Sequence, residues 1–150
     1  MANTFSQIYF HIVFSTKNRA RLIHRDIEDR VWQYIGGIAK NHKMKALQVG
    51  GIEDHIHALT SSGTVHSPAQ IMQLLKGNSS KWIKNEFQEL NGFAWQDGGG
   101  IFTVSKSAVP DVIEYIKNQR KHHEKQTFEE EFVSLLKLHG IEYDERYLFG

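Results

Sequence analysis

The sequence contains no cysteine. That absence excludes disulfides, iron–sulfur clusters and thiolate-bound zinc, so a metal ion could be held only by imidazole, carboxylate or amide groups. Nine histidines are available for such a site. The chain also lacks a run approaching the roughly 18 apolar residues of a membrane-spanning helix. Its start, MANTFSQIYFHIVFST, alternates polar and apolar residues where a signal peptide would carry a charged end and an apolar block. A cytoplasmic protein with no membrane partner is the expectation. No repeat, low-complexity segment or linker divides the 150 residues, which predicts one domain over 1–150. A large excess of charge of one sign is missing as well, the formal net charge being +1. Distribution says more than the total. Lys17, Arg19, Arg21 and Arg25 fall in one short segment, Lys117, Arg120, Lys121 and Lys125 in another, and Glu129, Glu130 and Glu131 sit together near the C-terminus. Each basic cluster is either a phosphate contact or a solvated loop or helix face.

Hydrophobic patterning gives the elements. Residues 5–15 read as a central strand, because Ile8, Phe10, Ile12 and Phe14 alternate with Tyr9, His11 and Val13 and both sets favour β structure. A helix follows from Asp26 to about Asn41, with Val31, Ile35, Ile38 and Ala39 at helical spacing. Residues 45–52 and 55–61 read as an antiparallel pair joined at Glu53-Asp54. Ser67-Pro68-Ala69-Gln70 is a helix start with a capping box and proline at the first position. That helix is predicted to reach about Leu90 and to face the core with Ile71, Leu74, Leu75, Asn78 and Trp82. FAWQDGGGIFTVS reads as an aromatic-rich strand or hairpin interrupted by Gly98, Gly99 and Gly100, and helices are predicted over about 109–124 and 128–139, before an aromatic tail. The order β-α-β-β-α-β predicts an α+β fold, the ferredoxin-like split-βαβ antiparallel sheet with two helices on one face and added C-terminal helices.

Two constellations carry chemistry. In His55-Ile56-His57 a strand projects both imidazoles from one face, about 6.6 Å apart at the backbone, and turns Ile56 to the other. Such a pair is either a metal site or two ordinary strand histidines. Tyr115 and Gln119, four apart on a helix, share a face with Asn118 and His122 that lies outside the apolar stripe of Val109, Val112, Ile113 and Ile116. Tyr115 is thus poorly explained as core, although a surface or interface tyrosine has the same pattern.

The spans HIVFSTKNR, EDHIHAL, SPAQIMQLLKGNSSKWI, FAWQDGGGIFTVSKS, VIEYIKNQRKHH and LLKLHGIEYDERYLF, in that order, resemble the single-tyrosine HUH transposases of the smallest bacterial insertion sequences. The likeness covers nearly the whole chain. It departs at Glu53, where many relatives carry proline, and at Gly99, where they carry an aromatic residue. The resemblance implies that His55, His57 and Gln119 bind one divalent ion and that Tyr115 attacks single-stranded DNA, leaving a 5′-phosphotyrosine and a free 3′-OH. Imidazole and amide ligands with open positions suit Mg²⁺ or Mn²⁺. Lys17, Arg19, Arg21, Lys117 and Arg120 are the candidate contacts to hairpin-ended DNA. A homodimer is implied, because excision needs two cuts. A flexible Gly98–Gly100 segment is expected to let the tyrosine helix of one subunit complete the partner's site. The rival readings are a domesticated relative that processes chromosomal palindromes and a non-enzymatic binder of single-stranded nucleic acid.

Overall fold

The structure is a computed structural model that describes residues 3–149. Its elements are β1 (Ile8–Ser15), α1 (Glu28–Asn41), β2 (Lys45–Ile52), β3 (His55–Ser62), α2 (Pro68–Glu86), β4 (Gly100–Val104), α3 (Val109–Lys117), α4 (Gln119–His122) and α5 (Phe128–Leu138). The four strands form one antiparallel-paired sheet in the order β2-β3-β1-β4. Inserting β3 between β1 and β2 is the split-βαβ arrangement the element order predicts.

The alternation in β1 separates two faces. Ile12 and Phe14 join Ile56 and Ala58 beneath α1 and α2, in a core with Val31, Ile35, Ile71, Leu75 and Ile83. Val13 lies on the opposite face with Phe102, under Phe128, Phe132, Leu135 and Leu136 of α5. The sheet is therefore covered on both sides, and β3 is buried along nearly its whole length.

Several expectations are corrected. The buried stripe of α2 is Ile71, Leu75, Ser79 and Ile83, whereas Asn78 is exposed and Leu74 and Trp82 are only partly covered. Ser79 is tolerated inside because Trp95 Nε1 donates to its hydroxyl at 2.9 Å while that hydroxyl donates to the Leu75 carbonyl. The capping box at Ser67 and Gln70 is formed, but α2 ends at Glu86 rather than near Leu90. No hairpin forms over residues 93–104. Phe93 and Trp95 instead pack edge-to-face with ring centroids 4.7 Å apart, filling the core beside Phe14, and β4 begins only at Gly100.

Within the glycine run, Gly98 is in open space whereas Gly99 and Gly100 are closely packed. Gly99 has φ +149°, and a Cβ there would lie 2.6 Å from Met72 Cε and 2.9 Å from the Val13 carbonyl. The helix expected over 109–124 also divides, at Asn118 (φ −99°, ψ 22°), so that Gln119 starts a separate turn.

Gly50, paired with His57, sets how near α3 lies to the sheet, since a Cβ at position 50 would be 3.1 Å from both Ile116 Cγ2 and Ile116 O. Gly50→Val is expected to cost about 1–3 kcal/mol by overpacking. In denaturant titrations, Gly37→Ala should move the other way by about 0.5–1 kcal/mol, because its added methyl meets nothing within 4 Å and removes a helix-interior glycine.

Candidate active site

His55 and His57 on β3 point to the face covered by α3, α4 and α5, and both are 0% exposed. Each ring is held at Nδ1. His55 Nδ1–H donates to Asp54 Oδ1 at 2.7 Å, and His57 Nδ1 shares a hydrogen bond with His11 Nε2 at 2.8 Å. Partners at Nδ1 fix ring orientation and turn both Nε2 atoms toward the same space.

That space is filled from the helices. Gln119 Oε1 lies 2.7 Å from His55 Nε2, and Glu131 Oε1 lies 3.0 Å from His57 Nε2 and 3.4 Å from His55 Nε2. The Tyr115 hydroxyl donates to Glu131 Oε2, and Gln119 Nε2 donates to the same oxygen at 3.0 Å. His123 Nε2 completes the cluster, 3.0 Å from Glu131 Oε1 and 3.1 Å from Gln119 Oε1. Ligand atoms of His55, His57 and Glu131 lie within 4.8 Å of one another. A divalent ion with bonds of about 2.0–2.2 Å fits such spacing with small adjustments, and two imidazoles with carboxylate and amide oxygens suit Mn²⁺ or Mg²⁺.

The electrostatics follow from burial around one negative charge. Burial works against ionising Glu131, but His57, His123 and His55 outweigh it and hold the carboxyl far below its ordinary range. His57 is shifted down by burial and by the neighbouring His55 and His123, against the pull of Glu131. Burial and His57 bring His11 down to about 3, so it is a neutral hydrogen-bond partner. For His123, burial is outweighed by its bond to Glu131, and its value rises. The Tyr115 phenol is raised above its usual value near 10, first by burial and then by the Glu131 charge.

The four residues singled out by spacing, His55, His57, Tyr115 and Gln119, thus come together within one chain. The other tyrosines lie elsewhere: Tyr34 stacks on Trp82, Tyr143 packs at the edge of the α5 core, Tyr147 is exposed, and Tyr9 lies toward the start of β1. Sequence reasoning missed Glu131, Asp54, His11 and His123. A signal for Glu131 was present, since it falls on the α5 face that carries Phe128, Phe132 and Leu135, where a carboxylate has no ordinary reason to be. His11 likewise sits inside a strand buried on both sides.

The basic candidates are largely engaged by carboxylates. Arg21 and Arg120 both pair with Glu53, at 2.7 and 2.8 Å, and Arg120 also reaches Glu28 at 3.1 Å. Arg19 lies 3.8 Å from Glu129, donates to the Phe149 carbonyl and stacks over its ring. Lys117 lies 3.9 Å from Glu114, and Lys17 is exposed.

Comparison with known proteins identifies the family. A family model described as "Transposase IS200 like" matches residues 4–119. The ISDra2 transposase TnpA of Deinococcus radiodurans is 22% identical over 118 residues, covering 75% of this chain and 84% of the relative. The transposase for insertion sequence element IS200 of Salmonella typhimurium is 27% identical over 124 residues, covering 79% and 81%. Among solved structures, a protein from Deinococcus radiodurans assigned as a transposase superposes with a TM-score of 0.66 at 21% identity, over 79% of this chain and 95% of that one. A REP-associated tyrosine transposase bound to a REP hairpin gives 0.59 at 10% identity, over 82% and 73%. With a match that runs from the first strand through the helices bearing Tyr115 and Gln119, this chain belongs to the IS200-like transposase family.

Proposed function

We propose that this transposase cleaves and rejoins single-stranded DNA through a tyrosine–phosphate bond, with Tyr115 as nucleophile and His55, His57, Gln119 and Glu131 as the metal-binding set. One observation carries the reading. Glu131 spans the two halves of the site, taking the Tyr115 hydroxyl on Oε2 and facing His57 Nε2 with Oε1. The Tyr115 hydroxyl therefore lies beside the residues that would hold a Lewis acid, an arrangement that would serve phosphoryl transfer.

Tyr115 forms a bond from its oxygen to phosphorus as the P–O3′ bond breaks, and overall its proton passes to the departing 3′-hydroxyl. Glu131 Oε2 orients the hydroxyl and accepts its hydrogen bond before attack. A divalent ion bound at the site would polarise a phosphate oxygen and offset the negative charge that otherwise disfavours the phenolate. Because one phosphate ester is exchanged for another, a second 3′-hydroxyl can reverse the step without an added energy source. His11 and Asp54 act through the rings they hold, so they are positioning residues. Excision needs two cuts, which favours two copies acting together. The fold shared with a transposase that holds a hairpin makes hairpin DNA the first substrate to try, with the exposed Lys17 as a ready backbone contact.

Tyr115→Phe should abolish the covalent protein–DNA adduct seen on denaturing gels while leaving DNA binding within a few-fold. An adduct mapped by mass spectrometry to another tyrosine would refute the assignment. Metal binding is tested separately by thermal melting. Saturating Mn²⁺ should stabilise the protein, by about 2.7 kcal/mol at one hundred times the dissociation constant, and His57→Ala should lose that increment. Equal Mn²⁺ stabilisation of both proteins would place the ion elsewhere. Subunit mixing tests the within-chain assembly. Tyr115→Phe combined with the His55→Ala/His57→Ala double variant should stay inactive, whereas recovered cleavage would show that the tyrosine serves the partner.

A further inference from the structure

Beside Tyr115 lies a cavity of about 540 Å³ that the cleavage chemistry leaves unused. Val112 walls it on the α3 side, Leu135 and Leu138 on the α5 side, and Thr103 and Val104 of β4 at its rim. We infer that this cavity is a nucleobase subsite, which receives the base of the nucleotide that becomes bonded to Tyr115. The inference rests on the phosphotyrosine reading above.

Geometry at phosphorus supplies the first argument. In an in-line displacement the entering phenol oxygen and the leaving 3′-oxygen stand on opposite sides of phosphorus. The 5′-oxygen lies in the plane between them, roughly at a right angle to the new bond. The nucleoside retained on the 5′-oxygen therefore stands alongside the tyrosine, while the departing one points away. Around the Tyr115 ring, other directions are taken: His57, His11 and His122 lie at centroid distances of 5.7, 6.1 and 4.8 Å. The cavity is lined both by Tyr115 and by Glu131, the residue that accepts the hydroxyl's hydrogen bond.

Its chemistry supplies the second. No lysine or arginine lines it, so it is not a path for the phosphate backbone. The aliphatic side chains of Val112, Leu135 and Leu138 match the faces of a flat neutral ring, and polar lining residues, among them Thr103, Gln126, Glu131, Ser134 and His139, offer partners for its edge. β4 is an edge strand whose far side pairs with no other strand among the described residues, which leaves main-chain donors and acceptors for a base edge. His139 at the rim stacks on Phe102, 4.4 Å between centroids and 11° from parallel, which braces it as a flat surface. The volume lies in the roughly 300–1,000 Å³ range of small-molecule sites.

The test uses an oligonucleotide whose cleavage position has been mapped, prepared with either the natural nucleoside or an abasic analogue immediately 3′ of the scissile phosphate. Wild-type protein should form the adduct at least tenfold more slowly with the abasic strand. Ser134→Trp fills the cavity from an exposed position of α5. It should slow the natural strand to a similar degree and leave the abasic strand nearly unchanged. A second readout avoids cleavage: 2-aminopurine at the same position, bound to Tyr115→Phe protein, should change fluorescence on binding, and that change should be lost when Ser134→Trp is added. Equal wild-type rates on the two strands, or an equal slowing of both by Ser134→Trp, would overturn the subsite. If neither strand gives an adduct with wild-type protein, the phosphotyrosine reading itself fails, and the subsite with it.

Discussion

A carboxylate removed from water at the centre of a small protein has to be surrounded by donors, because leaving it unpaired costs several kcal/mol. Glu131, 1% exposed, meets that demand with groups from every element around it: Tyr115 from α3, Gln119 from α4, His57 from β3 and His123 just after α4. The apolar side of α5 makes this possible, since Phe128, Phe132, Leu135 and Leu136 settle onto Val13 and Phe102 and carry the charge inward. In that dry setting each contact to the carboxylate is strengthened, and each would be costly to lose. The position of the Tyr115 hydroxyl relative to the histidines is thus a consequence of where one negative charge finds its donors.

The close approach of the helices depends on the sheet below. Gly50 gives α3 room to rest on β2 at Ile116, one residue beyond the tyrosine, and Asn118 breaks the helix so that Gln119 turns onto His55. On the strand, Asp54 and His11 hold the two imidazoles by their outer nitrogens. The geometry of the site is set by three kinds of contact, namely small residues in the sheet, a helix break and hydrogen bonds to the far side of each ring.

Much of this was legible from residue order. Strand alternation, the Ser67 capping box and the spacing of Val31, Ile35 and Ile38 are local signals, and they place β1, α1, β2, β3 and α2 close to where they lie. Local signals also put His55 with His57, and Tyr115 with Gln119, on common faces. They fail where a residue's role depends on what is packed against it. Ser79 belongs to the buried stripe of α2 because Trp95 donates to it, a partner that helical spacing alone does not distinguish from one for Asn78. Three glycines in a row read as freedom, yet Gly99 is there because Met72 and the Val13 carbonyl occupy the space of a side chain. Glu53 takes its meaning from packing in the same way, since it joins Arg21 to Arg120, and a residue larger than glycine at position 99 would have to displace its neighbours. Glu131 had a visible oddity, a charge on an apolar face, but its purpose appears only with the histidines beneath it.

The family match stops at Gln119, whereas Glu131 belongs to α5, which starts at Phe128. The matched segment thus holds the sheet and the tyrosine helix, and the charge at their centre comes from a helix that follows it in sequence. A single change at position 131 can alter the net charge around the two imidazoles by a full unit without touching a residue of the matched segment. The charge at the centre of the cluster can therefore change through a helix packed over the sheet, with the strand that bears the histidines left as it is.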